Sequence, residues 1–173
     1  MPSERTESKV NQQKNKEIME WFDAMIQGIL LWVFVFTFLV RLVRVDGHSM
    51  DPTLQDGQRL LISSWAYQPQ YGDIVVTDQY INYGKPLVKR VIGMEGDTID
   101  IDFGQGVVYR NGEPLDEPYT AEPTWLKETV DFPITVPEGC VFLMGDNRNH
   151  SSDSREKSIG CIDARAIMGK KIL

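Results

Sequence analysis

Twenty consecutive positions, Trp21 to Val40 (WFDAMIQGILLWVFVFTFLV), carry only two strongly polar side chains, Asp23 and Gln27, both near the start of the run. At 1.5 Å per residue such a helix matches the ~30 Å hydrocarbon core of a bilayer, so the segment is predicted to span a membrane. A cleaved signal peptide would have a shorter apolar region followed by a small-x-small site, whereas Val40-Arg41-Leu42-Val43-Arg44 follows here. A buried core helix would show a polar face. Beyond Arg44 the pattern changes to short apolar runs: Arg59–Ile62, Asp73–Thr77, Leu87–Gly93, Gly106–Arg110 and Cys140–Gly145. Turn formers separate them, among them Asp56-Gly57, Tyr71-Gly72-Asp73, Glu95-Gly96-Asp97 and Asn111-Gly112. The last is flanked by Tyr109-Arg110 and Glu113-Pro114, as in a two-residue hairpin. The predicted fold class is mainly β: an N-terminal transmembrane helix followed by an antiparallel β-sheet domain, coiled or barrel-like.

This pattern divides the chain into a tail over 1–20, an anchor over 21–43 and a β domain over 44–173. A variable insert is expected at about 100–138, where the stretch from Gly112 to Pro133 is rich in proline and acids. The tail, with few large apolar groups, predicts a solvated segment or an extension of the helix. Four basic residues precede the apolar run (Arg5, Lys9, Lys14, Lys16) and two follow it (Arg41, Arg44), which favours a cytoplasmic N-terminus. From Val45 onward 12 Lys+Arg stand against 20 Asp+Glu, and an acidic globular part argues against a nucleic-acid partner. Cys140 and Cys161 lack the spacing of a metal site and are expected to be buried free thiols, a disulfide being the alternative. No metal or cofactor is called for.

Three segments concentrate chemistry. Ser49 lies in Gly47-His48-Ser49-Met50-Asp51-Pro52-Thr53-Leu54, where Gly47 permits unusual backbone angles and Pro52 restricts them, so its hydroxyl is presented from a rigid turn. Taken alone it reads more readily as a turn serine bonding its own backbone. Lys89 lies among Leu87, Val88, Val91 and Ile92, and a period of two puts Leu87, Lys89 and Val91 on one face of a strand. An ammonium held between apolar neighbours loses hydration and its pKa falls, which would make it a base. Periodicity does not decide whether Lys89 or Arg90 points inward. The third segment, Met144 to Arg155 (MGDNRNHSSDSR), is either an exposed turn or a site whose charges pair. His48 adjoins Ser49 and points away from it on an extended chain, so a triad built on His48 or His150 is disfavoured against the lysine.

Together these segments resemble bacterial type I signal peptidases, in the short form of Gram-positive type. The resemblance covers the anchor, GHSMDPTL (47–54), YGDIVV (71–76), VKRVIGMEGD (88–97) and MGDNRNHSSDSR (144–155), in that order. It implies Ser49 as nucleophile, its backbone N–H as oxyanion donor, and Lys89 as general base with Ser151 orienting its amine. Asp153 and Arg155 would hold the loop as an ion pair, with Asp146, Asn147 and Arg90 in support. A substrate peptide would add as a strand beside Pro86–Lys89 and Val43–Gly47, with Val45, Met50, Leu87 and Val88 as walls of the pockets. Some members carry a hydroxyl residue two before the nucleophile; here that residue is Gly47.

The expected activity is therefore that of a serine endopeptidase in the cell membrane, with its catalytic domain extracytoplasmic. It would cut exported preproteins after a small-x-small site, with signal peptides, the bilayer and the export machinery as partners. The alternative is a non-catalytic anchored relative that assists assembly of surface structures. A soluble self-cleaving repressor would share the Ser/Lys pair but not the anchor.

Overall fold

The structure, a computed structural model, describes residues 3–65, 67–81 and 83–172. It comprises two compact units, 1–39 and 40–173. The first is a helix, α1 (Ser3–Phe34), continued by a π-helical turn (Val35–Leu39). Within it Gln13–Thr37, 25 residues, contains an 18-residue window with a mean hydropathy of 1.6, long and apolar enough to cross a bilayer. Residues 40–43, grouped with the anchor by hydropathy, instead begin a strand. The reason is pairing: the backbone of Val40–Arg44 finds ladder partners in Arg59–Ser63, which outweighs a local pattern shared by an apolar helix and an apolar strand.

The second unit is built on eleven strands: β1 (Val40–Arg44), β2 (Arg59–Ser63), β3 (Ile74–Thr77), β4 (Val88–Met94), β5 (Thr98–Asp102), β6 (Val107–Arg110), β7 (Glu113–Pro114), β8 (Ile134–Thr135), β9 (Cys140–Met144), β10 (Ile162–Asp163) and β11 (Ile167–Lys171). Seven form one sheet in the order β1-β2-β11-β3-β4-β9-β10. Four form a second, β7-β6-β5-β8, inserted in sequence between β4 and β9. All pairings are antiparallel. The hairpin expected at Asn111-Gly112 joins β6 to β7, and both residues take the positive φ (55° and 85°) that a two-residue turn of primed type demands.

Alternation along β4 and β9 separates two cores. Val91 and Leu143 pack with Val75, Leu87 and Ile159 on one face of the large sheet. Ile92, Phe142 and Met144 pack on the other face against Ile99, Ile101 and Val108 of the small sheet. Gly93 lets the two sheets approach: a Cβ there would lie 2.9 Å from the Ile99 side chain. A third core, with Val45, Met50, Leu54, Leu60, Ile62 and Val76, fills the β1–β2–β3 end and supports the turn that carries Ser49. Cys140 and Cys161 are free thiols, though half-buried rather than fully enclosed.

Candidate active site

The turn after β1 is locked from both ends. The Val45 N–H donates to Gln58 O at 2.8 Å and the Gly57 N–H donates to Val45 O at 3.0 Å, tying the exit of β1 to the entry of β2. Gly47 has φ +94°, a region that L side chains avoid, and its N–H donates to Asp56 Oδ1 at 2.8 Å. The backbone, not a lack of space, therefore disfavours any side chain at position 47, including a hydroxyl. Met50 and Leu54, each 1% exposed, anchor the turn in the third core. Met50 thus corrects an expectation: it is committed to the core and is absent from the cleft that Val45, Leu87 and Val88 line.

Lys89 lies on the face of β4 shared with Leu87 and Val91, as alternation predicts, and is 3% exposed. Its Nζ is 2.6 Å from Ser49 Oγ, forty residues away in sequence. Burial is the main cause that pushes its pKa down to about 8, opposed by the carboxylate of Asp153. Arg90 points to the opposite face and has the carboxylate it needs: Nε and Nη2 donate to the two oxygens of buried Asp146 at 2.8 and 2.6 Å, while Nη1 donates to Gly72 O. Both basic residues are thus turned inward, one onto a hydroxyl and the other onto a carboxylate.

The loop after β9 closes around this pair. Asn147 donates twice to the serine turn, through its N–H to Ser49 O and through Nδ2 to His48 O, both at 3.0 Å. Asp153 and Arg155 are fully buried and share two bonds of 2.8 Å. Burial alone would raise the Asp153 pKa, but those bonds and the Arg155 charge hold it below the usual carboxylate range. Removing one member of such a buried pair costs about 3–5 kcal/mol, because the other charge is left uncompensated. The Ser151 hydroxyl, expected against the lysine amine, instead donates to Asp153 Oδ2 at 2.9 Å. That carboxylate oxygen also accepts the Gly145 N–H at 3.0 Å.

Three residues in this arrangement carry no distinctive signal in the sequence. Gly145 follows Met144, the partner of Arg90 in the ladder, and so sits across from Lys89. A Cβ at Gly145 would run into Ser151 Oγ and the Ser49 carbonyl, so the missing side chain is what lets the serine turn, β4 and the loop converge. Glu117 and Tyr119, from the proline-rich insert, reach buried Arg148 and Arg90; Glu117 takes both ends of the Arg148 guanidinium at 2.6 Å. A carboxylate opposite an arginine 31 residues away leaves no local pattern to read.

A cleft of about 600 Å³ opens beside Ser49 and Lys89, walled by 43–48 on one side and by Tyr83 and 85–88 on the other. The Thr77 N–H donates to Leu87 O at 2.9 Å, and the Leu87 N–H donates to Thr77 Oγ1. Residue 87 therefore addresses β3, and by alternation Val88 turns its N–H and C=O away from β3, toward the side where β9 has already ended. Val45 likewise addresses β2, so Arg44 and Asp46 turn their backbone groups outward from the edge strand. His48 is exposed and its ring pairs with Asp51 Oδ2 at 3.0 Å; His150 lies exposed at the cleft rim. Among the described residues, no group of three or more His, Cys, Asp or Glu is placed to hold a metal ion.

Residues 18–173 match the family described as "Signal peptidase, peptidase S26". A signal peptidase I of Bacillus licheniformis is 40% identical over 95% of this chain and 91% of its own. Signal peptidase I S of Bacillus subtilis is 35% identical over 92% and 89%. A crystal structure of a signal peptidase I from Enterococcus faecalis is 31% identical, covering 60% of this chain and 97% of that one with a TM-score of 0.49. With the family matched over most of its length and relatives aligned almost end to end, this chain belongs to the peptidase S26 family of signal peptidases.

Proposed function

We propose that this protein is a membrane-anchored serine endopeptidase that removes N-terminal signal peptides from exported preproteins, with Ser49 as nucleophile and Lys89 as general base. The observation that carries the reading is the 2.6 Å approach of a buried lysine amine to a serine hydroxyl. A charged Lys89 donates to Ser49 Oγ; once neutral, the same nitrogen accepts the Ser49 proton as the oxygen attacks the scissile carbonyl. The Ser49 N–H faces the developing oxyanion, Lys89 returns the proton to the leaving amine, and a water then frees the acyl group. Asp146, Arg90, Asn147, Asp153, Arg155 and Ser151 hold the loop against both residues and exclude solvent around the amine.

The substrate enters as an added strand, using the unpaired backbone groups of Val88 on one side and of Arg44 and Asp46 on the other. Val45, Leu87 and Val88 then wall a small apolar pocket that rejects bulky residues before the cut by steric clash. The apolar helix spans the membrane with its N-terminus in the cytoplasm, which holds the β unit at the extracytoplasmic surface where exported chains emerge. The full chain in detergent should cleave a peptide with an Ala-x-Ala site after the second alanine, mapped by mass spectrometry. Phenylalanine before the cut should lower kcat/KM by about 10²-fold or more. Equal turnover of the two peptides contradicts the small pocket and the substrate assignment with it.

Because only neutral Lys89 is a base, kcat/KM should rise with pH through about 8 and level off above it. The sign is that of a lysine whose charged form is disfavoured by burial: below the folded pKa the amine is protonated and idle. His150→Ala should leave this limb in place. A limb that moves or vanishes in that variant would assign it to the histidine at the cleft rim.

A further inference from the structure

The insert reads from sequence as a variable appendage, yet one short piece of it touches every part of the site. Glu117 binds both terminal nitrogens of Arg148 at 2.6 Å, and the Tyr119 hydroxyl donates to Glu117 Oε1 at 2.9 Å. The Tyr119 ring lies 3.9 Å from the guanidinium carbon of Arg90 and 6.0 Å from that of Arg148. Its carbonyl accepts from Thr53 Oγ1 at 3.5 Å. Residues 117–119 therefore meet the serine turn through Thr53, the lysine strand through Arg90 and the 144–155 loop through Arg148.

We infer that Glu117 and Tyr119 are positioning residues for catalysis, acting through Arg148 and Arg90 to hold the serine turn and the lysine strand in register. This rests on the Ser49–Lys89 reading above. Arg148 is the transmitting element. It is 1% exposed, its Nε donates to Gly145 O at 3.0 Å, and its own carbonyl accepts from Arg155 Nη2 at 2.5 Å. Gly145 in turn packs its main chain against the Ser49 carbonyl and the Ser151 side chain. With Glu117 neutralised, Arg148 becomes a buried cation without its carboxylate, and the turn it pins through Gly145 is free to shift. A shift of about 1 Å in the reacting groups is enough to lower a rate by about 10²-fold. Neither Glu117 nor Tyr119 lines the cleft, whose walls are 43–48 and 85–88 with Tyr83, so the strut controls the reacting pair and not the binding of the peptide.

The full chain in detergent should be assayed with the Ala-x-Ala peptide as Glu117→Gln, Tyr119→Ala and Tyr119→Phe, alongside Ser49→Ala. Glu117→Gln and Tyr119→Ala should lower kcat by about 10²-fold with KM within about twofold of the parent. Their acid limb should also move to higher pH, because an opened site rehydrates Lys89 and favours its charged form. The charged groups that act on Lys89 are Asp153, Arg155, Asp146 and Glu156, and none of them is altered. Tyr119→Phe keeps the ring beside the Arg90 guanidinium and should retain most of the activity. Parental kcat and an unmoved limb in folded Glu117→Gln and Tyr119→Ala overturn the inference, as does a loss in KM alone. If Glu117→Gln fails to fold, as shown by circular dichroism, Tyr119→Ala against Tyr119→Phe decides. Full activity in Ser49→Ala would instead overturn the nucleophile assignment on which the inference rests.

Discussion

Ser49→Ala and Lys89→Ala are each expected to lower kcat/KM by about 10³-fold or more while leaving thermal unfolding cooperative. The first removes the attacking oxygen, and the second removes the base that lies 2.6 Å from it. The two losses should not add, since either change disables the same step; the double variant should be no slower than the worse single one. Neither substitution should unfold the protein. Ser49 is half-buried on a turn held by Met50 and Leu54, and Lys89→Ala relieves the burial of an amine whose charged form loses its hydration there. Full activity in Ser49→Ala would remove the nucleophile assignment. Retained activity in Lys89→Ala would return attention to His150 at the cleft rim.

Gly145→Ala is the second large effect expected, about 10²-fold or more in kcat. The added methyl would overlap the Ser49 carbonyl and the Ser151 hydroxyl and lie 2.6 Å from Ser151 Cβ. The Ser151 hydroxyl can turn aside, but its Cβ and the Ser49 carbonyl are fixed by the backbone, and the Asn147 N–H already holds that carbonyl at 3.0 Å. Relief must therefore displace the serine turn or the loop, and either motion lengthens the path from Lys89 to Ser49. Combining Gly145→Ala with Ser151→Ala tests this order of contacts: the activity should not return, because the backbone overlap remains. Recovery in the double variant would show that the Ser151 hydroxyl alone was in the way. Circular dichroism and peptide binding would establish that the single variant is folded and still occupied by substrate.

Much of this protein is legible in the order of its residues, for reasons that are local. The apolar 20-mer declares itself by length and by the near absence of polar side chains, which is all that a spanning helix requires of its sequence. Strands β2, β3, β4, β6 and β9 stand out as short apolar runs between turn formers, and Asn111-Gly112 marks its own hairpin. β5 has a weaker signal of the same kind, since Thr98–Asp102 alternates and buries Ile99 and Ile101. Ser49 and Lys89 are visible because each sits in an unusual setting: a serine after a turn glycine, and a lysine in an apolar strand.

Other features depend on partners far away in sequence. β11, rich in lysine and interrupted by Gly169, has no strand signature, yet it lies between β2 and β3 because their edges need a partner. Periodicity leaves Lys89 and Arg90 undecided; Asp146, 56 residues from Arg90, decides it by supplying the carboxylate that a buried guanidinium requires. Met50 reads as a wall residue beside the serine and becomes core because Leu60, Ile62 and Val76 converge beneath it. The proline-rich insert gives no sign of its reach, which exists only because the fold brings Glu117 and Tyr119 against Arg148 and Arg90. Composition sets which charges a chain contains, while the fold chooses which of them lose their water together, and the energy of a buried charge depends on that choice.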